Sequence, residues 1–466
     1  MNVRICVVLF LASLASLAGC VPSIDYSSLT SAVEARERQA GSHVGPLNKS
    51  VRALLGQPLT AESAARIAVL NNRRAQAAFA ELGIAEAEVR SAGRLPNPTA
   101  EASILYHKDG RPELSLGAML DITGLILLPL RSNSARSQLD AAKASAVGSI
   151  LDLSFGARRL FYEYQAAIEL VELRRTVVRA MGASKHLAEQ LRAAGNITEL
   201  SLTTEQSAYE DSQIAFQEAG VQALTAREAL NAAMGLSGAN LGWKAPPRLP
   251  ALPKVEVRVD RAEQLAIANS IDLAVLKSRF SAAAQRAQYA RATGWLPELR
   301  GGVAAERGFT SHGDEWSFGP AVELEVPIFY QGQGEVGAAV GQMKQSENLY
   351  ASTAVQIRAT ARALAVQLLS ARAAVTRYDS LVLPLKQKAV EETQLQYNGM
   401  LVGAFQLLQV KRQEVEAASL RTVQLREYWL ARTELEQLFA GKLGNRGLNA
   451  AFPVATDRGQ DGATPH

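Results

Sequence analysis

The sequence predicts a mainly α-helical chain carrying a small amount of membrane-type β structure, arranged as two tandem copies of one plan. Three observations lead there. Ser134–Ala194 and Glu335–Gln396 are each about sixty residues dense in Ala, Leu, Val, Arg, Glu and Gln, most of them good helix formers, and each reads as one rod of about 90 Å. Four short segments alternate apolar and polar residues with period two. The order of these elements then recurs along the 466 residues, Pro96 and Pro297 standing at corresponding stops.

Composition narrows the class. Hydrophobic residues make up 48% but aromatics only 6%, which suits long helices packed through small side chains better than an enzyme core. The net charge is +4, with acids and bases interleaved, so the surface is that of solvated helices and no nucleic-acid partner is expected. Mean hydropathy near zero argues against a polytopic helical membrane protein. The two cysteines, Cys6 and Cys20, and five scattered histidines signal neither a disulfide framework nor a metal cluster. Phosphate-cradling and dinucleotide motifs are absent; Gly301-Gly302 and Gly332-x-Gly334 read as structural glycines, and neither catalysis nor a cofactor is expected.

Taken in order, residues 1–19 read as a secretory signal, with Arg4 ahead of the apolar run Ile5–Leu17. Leu17-Ala18-Gly19-Cys20 looks like a bacterial lipobox, which implies lipidation of Cys20; Val21 rather than Asp favours the outer membrane by analogy. Residues 20–58 lack periodicity and read as an extended N-terminal segment. The first copy spans 59–235 and the second 259–441, each a medium helix, a Leu-Pro stop, two strands, a very long helix, a glycine turn and a second long helix. Residues 236–258 carry four prolines and form a connector; 442–466 read as a flexible tail.

Pro96 and Pro297 stop helices because they lack an N–H donor, and Pro129 and Pro327 are expected at the strand-to-helix transitions. The strands are expected at Thr99–Tyr106, Glu113–Thr123, Glu298–Glu306 and Glu315–Ile328. Leu114, Leu116, Ala118, Leu120 and Ile122 fall on one face of the second; Trp316, Phe318, Pro320, Val322, Leu324, Val326 and Ile328 fall on one face of the fourth. These lengths could cross a bilayer, with Trp295, Tyr106, Phe309, Trp316, Phe329 and Tyr330 near the strand ends as an interfacial belt. Two hairpins cannot close a barrel, so a membrane reading demands several copies; two ordinary hairpins packed on helices are the alternative. Gly195-Asn196 and Asn398-Gly399 are expected to supply the left-handed residues where the rods reverse.

The lipobox, the doubled helix–hairpin–rod plan, "AGRLPNP" at 92–98, "WLPEL" at 295–299, "PIFYQGQG" at 327–334, the turns "LRAAGNITELSL" (191–202) and "QYNGMLVGAFQLL" (396–408), and "ARTELEQLFAG" (431–441) together resemble the TolC-type outer-membrane factors. The resemblance covers about 59–441. It implies a homotrimer with one twelve-stranded barrel, four strands per subunit, above a hollow periplasmic α-helical tunnel. It also implies an efflux role beside a periplasmic adaptor (membrane fusion) protein and an inner-membrane RND-type transporter, with the lipidated N-terminus in outer-membrane lipid. Gly195, Asn196, Glu199, Asn398, Gly399, Val402 and Gly403 would then form the tip that meets the adaptor, Val402-Gly403 matching a Val-Gly pair of relatives. Relatives often carry an Asp shortly after this turn; here stand Gln406 and Gln409, with Glu199 in the first copy, which weakens an acidic gate. Asp121, Glu323 and Glu325 would face the lumen, simple wetting being favoured over ion selection. His107 and His312 sit in hairpin tips and read as exposed loop residues rather than metal ligands. The rivals are a type I protein secretion channel and a structural periplasmic coiled-coil lipoprotein.

Overall fold

A computed structural model describes residues 51–106, 112–296, 298–310, 313–326 and 328–444. Cys20, Pro297, Pro327, His107 and His312 lie outside the described residues, as does the side chain of Phe309.

The first half runs α1 (Val51–Leu55), α2 (Ala61–Asn71), α3 (Arg73–Ala92), β1 (Thr99–Tyr106), β2 (Pro112–Asp121), α4 (Ile122–Ala193) and α5 (Glu199–Met234). The second runs α6 (Ala262–Ala268), α7 (Ile271–Trp295), β3 (Glu298–Thr310), β4 (Gly313–Glu325), α8 (Gln333–Arg377), a π turn (Tyr378–Val382), α9 (Leu383–Asn398) and α10 (Ala404–Phe439). Each "medium helix" is therefore two helices. Asn72 ends α2 and its side chain caps α3 by accepting from the Arg74 N–H; Ser270 caps α7 by accepting from the Leu273 N–H. The neighbouring asparagines reach across to the ends of the long helices. Asn71 donates to the Met234 and Gly235 carbonyls, and Asn269 to the Phe439 carbonyl.

α4 is 72 residues long, a rod of roughly 108 Å. It starts earlier than expected, because Asp121 ends β2 by accepting from the Gly124 N–H at 2.7 Å, a helix N-cap. Ile122 and Thr123 are thereby helical, and Pro129 lies inside α4 instead of at the transition. Leu125 and Pro129 are both exposed, so the missing i→i−4 bond falls on the outer side of the helix.

The second rod runs unbroken from Gln333 to Asn398 but is locally widened, because Pro384 lies within it. The chain meets the donorless nitrogen with a π turn, in which the Leu383 N–H reaches back five residues to the Tyr378 carbonyl. Pro384 then sits in the first turn of α9, where an N–H is not needed. Asp379 in the π turn takes two hydrogen bonds from Arg421 of α10, at 2.8 and 3.2 Å.

The core lies midway along the rods, where α2, α4, α5, α6, α8 and α10 meet residues 236–258. Fully buried Leu59, Ile67, Leu230, Ile357, Leu368, Leu425 and Tyr428 form its centre. Burial of each large side chain stabilises by roughly 1.5–3 kcal/mol. A second, smaller cluster of Leu82, Val147, Ile150, Leu151, Phe155 and Ile271 joins α3, α4 and α7, and small Ala and Ser side chains such as Ser134, Ala135 and Ala141 are buried along α4 beyond it. Residues 236–258 hold a 3-10 turn at Gly238–Leu241 and are strapped to the rods. Gln165 of α4 donates to the Pro246 and Arg248 carbonyls, Trp429 of α10 to the Pro250 carbonyl, and Glu256 is held by Arg372, Arg432 and Tyr428. Arg227 stacks over Trp243 at 4.3 Å and donates to the Leu241 and Trp243 carbonyls.

Two expected loose segments are partly fixed. Val51–Leu55 is a short helix against the core. Past α10, the Lys442 ammonium contacts Asp272 at 2.6 Å and Asp152 at 3.7 Å, and the Leu443 N–H donates to Asp272. Gly148 on α4 leaves room for the Lys442 stem, 3.3 Å from where a Cβ would stand. Residues 445–466 lie outside the described residues.

Candidate functional site

The two ends of the rods carry the features expected to act. At one end stands a single antiparallel sheet in the order β1-β2-β3-β4. Pairing of β2 with β3 joins the two hairpins, Leu116 facing Ala305 and Asp121 facing Arg300. Strands β3 and β4 run longer toward the hairpin end than expected, to Thr310 and from Gly313, and β4 ends at Glu325, so Val326 and Ile328 are not strand.

Directly paired residues share a face. Register therefore places Ile104, Leu114, Leu116, Ala118, Leu120, Val303, Phe318, Pro320, Val322 and Leu324 on one face. Most of its large side chains are exposed, Phe318 at 78%. The other face carries Ser103, Ser115 and Ser317 with Glu101, Asp121, Arg300, Glu306, Glu323 and Glu325. Asp121, Arg300 and Glu323 stand in one row; Arg300 contacts Glu298 at 2.7 Å and Glu323 at 3.7 Å, and Glu325 pairs in register with Glu298. Exposed Trp295, Phe329 and Tyr330 lie at the helix end of the sheet, exposed Tyr106 and Trp316 at the hairpin end. The sheet is seated on the rods by the Leu299 N–H, which donates to Thr123 of α4 at 2.9 Å.

At the other end lie two reversals. In the first, Gly195 takes φ +76°, the Gly195 N–H donates to the Arg192 carbonyl and the Asn196 N–H to the Leu191 carbonyl. That bond pair is the Schellman closure of α4. Thr198 caps α5, and Glu199 pairs with Arg192 at 3.0 Å on the surface. The second reversal uses the same bonds one residue later than expected. Gly399 has φ −80°, and Met400 takes the left-handed position at φ +60°. The Met400 N–H donates to the Tyr397 carbonyl and the Leu401 N–H to the Gln396 carbonyl. α9 runs to Asn398, so the left-handed position falls past Gly399. Val402 is half-buried, and Gly403 starts α10 without a side-chain cap. The sequence reading did not single out Met400 and Leu401, which are 94% and 79% exposed; an apolar Met-Leu-Val run directly after the polar end of α9 was the available signal.

Chemistry-bearing groups also occur at mid-rod. Burial pushes Asp152 up to about 6, opposed by Lys442 and reinforced by Asp272. Among the described residues no group of three His, Cys, Asp or Glu is placed to hold a metal ion, and no helix is long and apolar enough to cross a membrane.

No protein-family model matches the chain. It is 24% identical over 355 residues to the cobalt-zinc-cadmium resistance protein CzcC of Cupriavidus metallidurans, covering 76% of this chain and 82% of that protein. Among solved structures it is similar to the Campylobacter jejuni CmeC outer membrane channel, with a TM-score of 0.68 and 14% identity, over 84% of this chain and 88% of that one. It is also similar to CusC, solved in states that accompany transmembrane channel formation, with a TM-score of 0.65 and 18% identity, over 83% and 92%. The chain thus has the fold of these outer-membrane channels: long helical rods joined to a small antiparallel sheet.

Proposed function

We propose that the chain is the outer-membrane channel of a tripartite efflux system, passing small molecules or metal ions from an inner-membrane RND-type transporter through a periplasmic helical tunnel. One observation carries this reading. A four-stranded sheet with an exposed apolar face and two edge strands stands at the end of rods about 100 Å long. Such a face suits lipid, and open edges in lipid are not tolerated, so β4 of one copy must pair with β1 of the next. Three copies would give the twelve strands that the resemblance implies. The apolar face would meet the bilayer, and Asp121, Glu323 and Glu325 would wet the lumen. The doubled order of elements supports two tandem copies of one plan, 59–235 and 259–441. Lipidation at Cys20 would anchor each copy in the same membrane.

Likeness to CzcC supports divalent metal cations as cargo. Deletion of the gene, followed by growth on cobalt, zinc, cadmium and a drug panel, tests the reading. Sensitisation to metals is expected; loss of a secreted protein with unchanged metal and drug resistance would replace efflux with protein secretion. A detergent-purified sample that stays monomeric and passes no ions in a planar bilayer would overturn the channel itself.

A further inference from the structure

Residues 244–261 hold five bases, Lys244, Arg248, Lys254, Arg258 and Arg261, and two acids, Glu256 and Asp260. All five bases are exposed. Among the described residues none of the five makes an ion pair. Bases on the rods are often paired, as at Arg175–Glu172 and Arg421–Asp379. The segment also sorts its own side chains. Leu249, Leu252, Val257 and Val259 turn onto the core, and Glu256 is drawn inward by Arg372, Arg432 and Tyr428. Just beyond it, Glu263 is taken by Arg362 at 3.0 Å. Facing away from the rods are five cations and one exposed carboxylate, Asp260. Like charges strung along one segment repel, which costs the folded chain some stability.

We propose that this waist segment binds the acidic polymer of the cell wall, its cations meeting the carboxylates of peptidoglycan stem peptides where the rods pass through the wall. This rests on the channel reading above. A band of chain laid across α4, α5, α8 and α10 on the inner side would fill the conduit, so it lies outside. Its height excludes lipid as the partner. Gln165, which holds the Pro246 and Arg248 carbonyls, stands about 65 Å along α4 from Ile122 at the sheet end and about 40 Å short of the first reversal. The field of lipid headgroups fades within roughly 10 Å in salt. Single cations three to six residues apart match a flexible polymer of separate carboxylates better than one compact anion.

The test is cosedimentation of the full-length, detergent-solubilised chain with purified peptidoglycan sacculi. Wild type should pellet with sacculi at low salt and be released by about 0.5 M salt, where screening reaches within a few ångströms. Replacing all five bases by glutamine (K244Q, R248Q, K254Q, R258Q and R261Q together) should weaken binding about tenfold or more, five weak solvated contacts acting together. Exchanging each Lys for Arg and each Arg for Lys should keep it. Sacculi whose carboxylates have been amidated should not bind wild type. Equal binding by the glutamine variant, or by amidated sacculi, would overturn the proposal, as would capture by phosphatidylglycerol vesicles with none by sacculi. The five side chains are exposed and unpaired, so the melting midpoint of the glutamine variant should match wild type; if it is lower, amidated against untreated sacculi with the wild-type chain decides alone. A wild-type chain that conducts in a planar bilayer but ignores sacculi would overturn this proposal alone, and one that binds sacculi but passes no ions would overturn the channel reading alone.

Discussion

Replacing Gly302 with alanine should separate the two hairpins of the sheet. A Cβ added at Gly302 would stand 1.9 Å from the Ala118 carbonyl oxygen and 2.8 Å from the Met119 Cα, both backbone atoms of β2. Real Cβ contacts do not fall below 3.0 Å, so β2 and β3 would have to part by about 1.1 Å, the difference between 3.0 and 1.9. Ladder bonds of about 2.9 Å would stretch toward 4 Å and fail near the middle of the eight registered pairs. Two to four lost bonds at about 1 kcal/mol each put the destabilisation at roughly 2–4 kcal/mol. Gly319 lies on the same face, and a Cβ there would meet nothing within 4 Å, so Gly319→Ala is the matched control. The assay is the fraction of chain recovered in the outer membrane as a heat-sensitive oligomer, with its melting midpoint. Gly302→Ala should fail to assemble while Gly319→Ala behaves as wild type. Normal assembly and midpoint in Gly302→Ala would refute the claim that backbone approach at this seam requires glycine.

Three further outcomes are expected. Asp121→Ala should cost about 1 kcal/mol through loss of the α4 cap, whereas Asp121→Asn, which still caps, should keep stability and remove only the charge; denaturant titration separates the two. Lys442→Met should leave Asp152 and Asp272 facing each other without their cation and destabilise by about 2 kcal/mol, less than for a fully buried pair because both contacts retain some solvent; a shift of the urea midpoint measures it. For pH, burial raises Asp152 from 3.8 to about 6, so the folded state holds a proton that the unfolded chain releases. Its contribution is therefore full below about pH 4, declines by roughly 2 kcal/mol as pH rises to about 6, and is flat above. Asp152→Asn should remove that slope from the melting profile and leave the rest.

What could be read from residue order was local. Period-two alternation at Thr99–Tyr106 and in β2 and β4 gave both strand and face, because a pleated strand turns successive side chains to opposite sides whatever its partner. Helix-forming composition gave the rods, and Gly195 gave the first reversal, because left-handed backbone strains every residue except glycine.

Tertiary structure decided what depends on partners distant in sequence. It set Asp121 as a cap rather than a mid-strand side chain, and let α4 start ahead of Pro129. It matched Pro384 to a π turn braced by Arg421 of another helix. It placed Lys442 on Asp272, 170 residues away, where the sequence suggested a loose tail. It moved the second left-handed position from Gly399 to Met400, because the last turn of α9 extends to Asn398 and the closure is counted from there. Periodicity and propensity act over one turn or one pleat; where a helix stops, and which strand meets which, is settled by contacts that form only once the rods lie side by side.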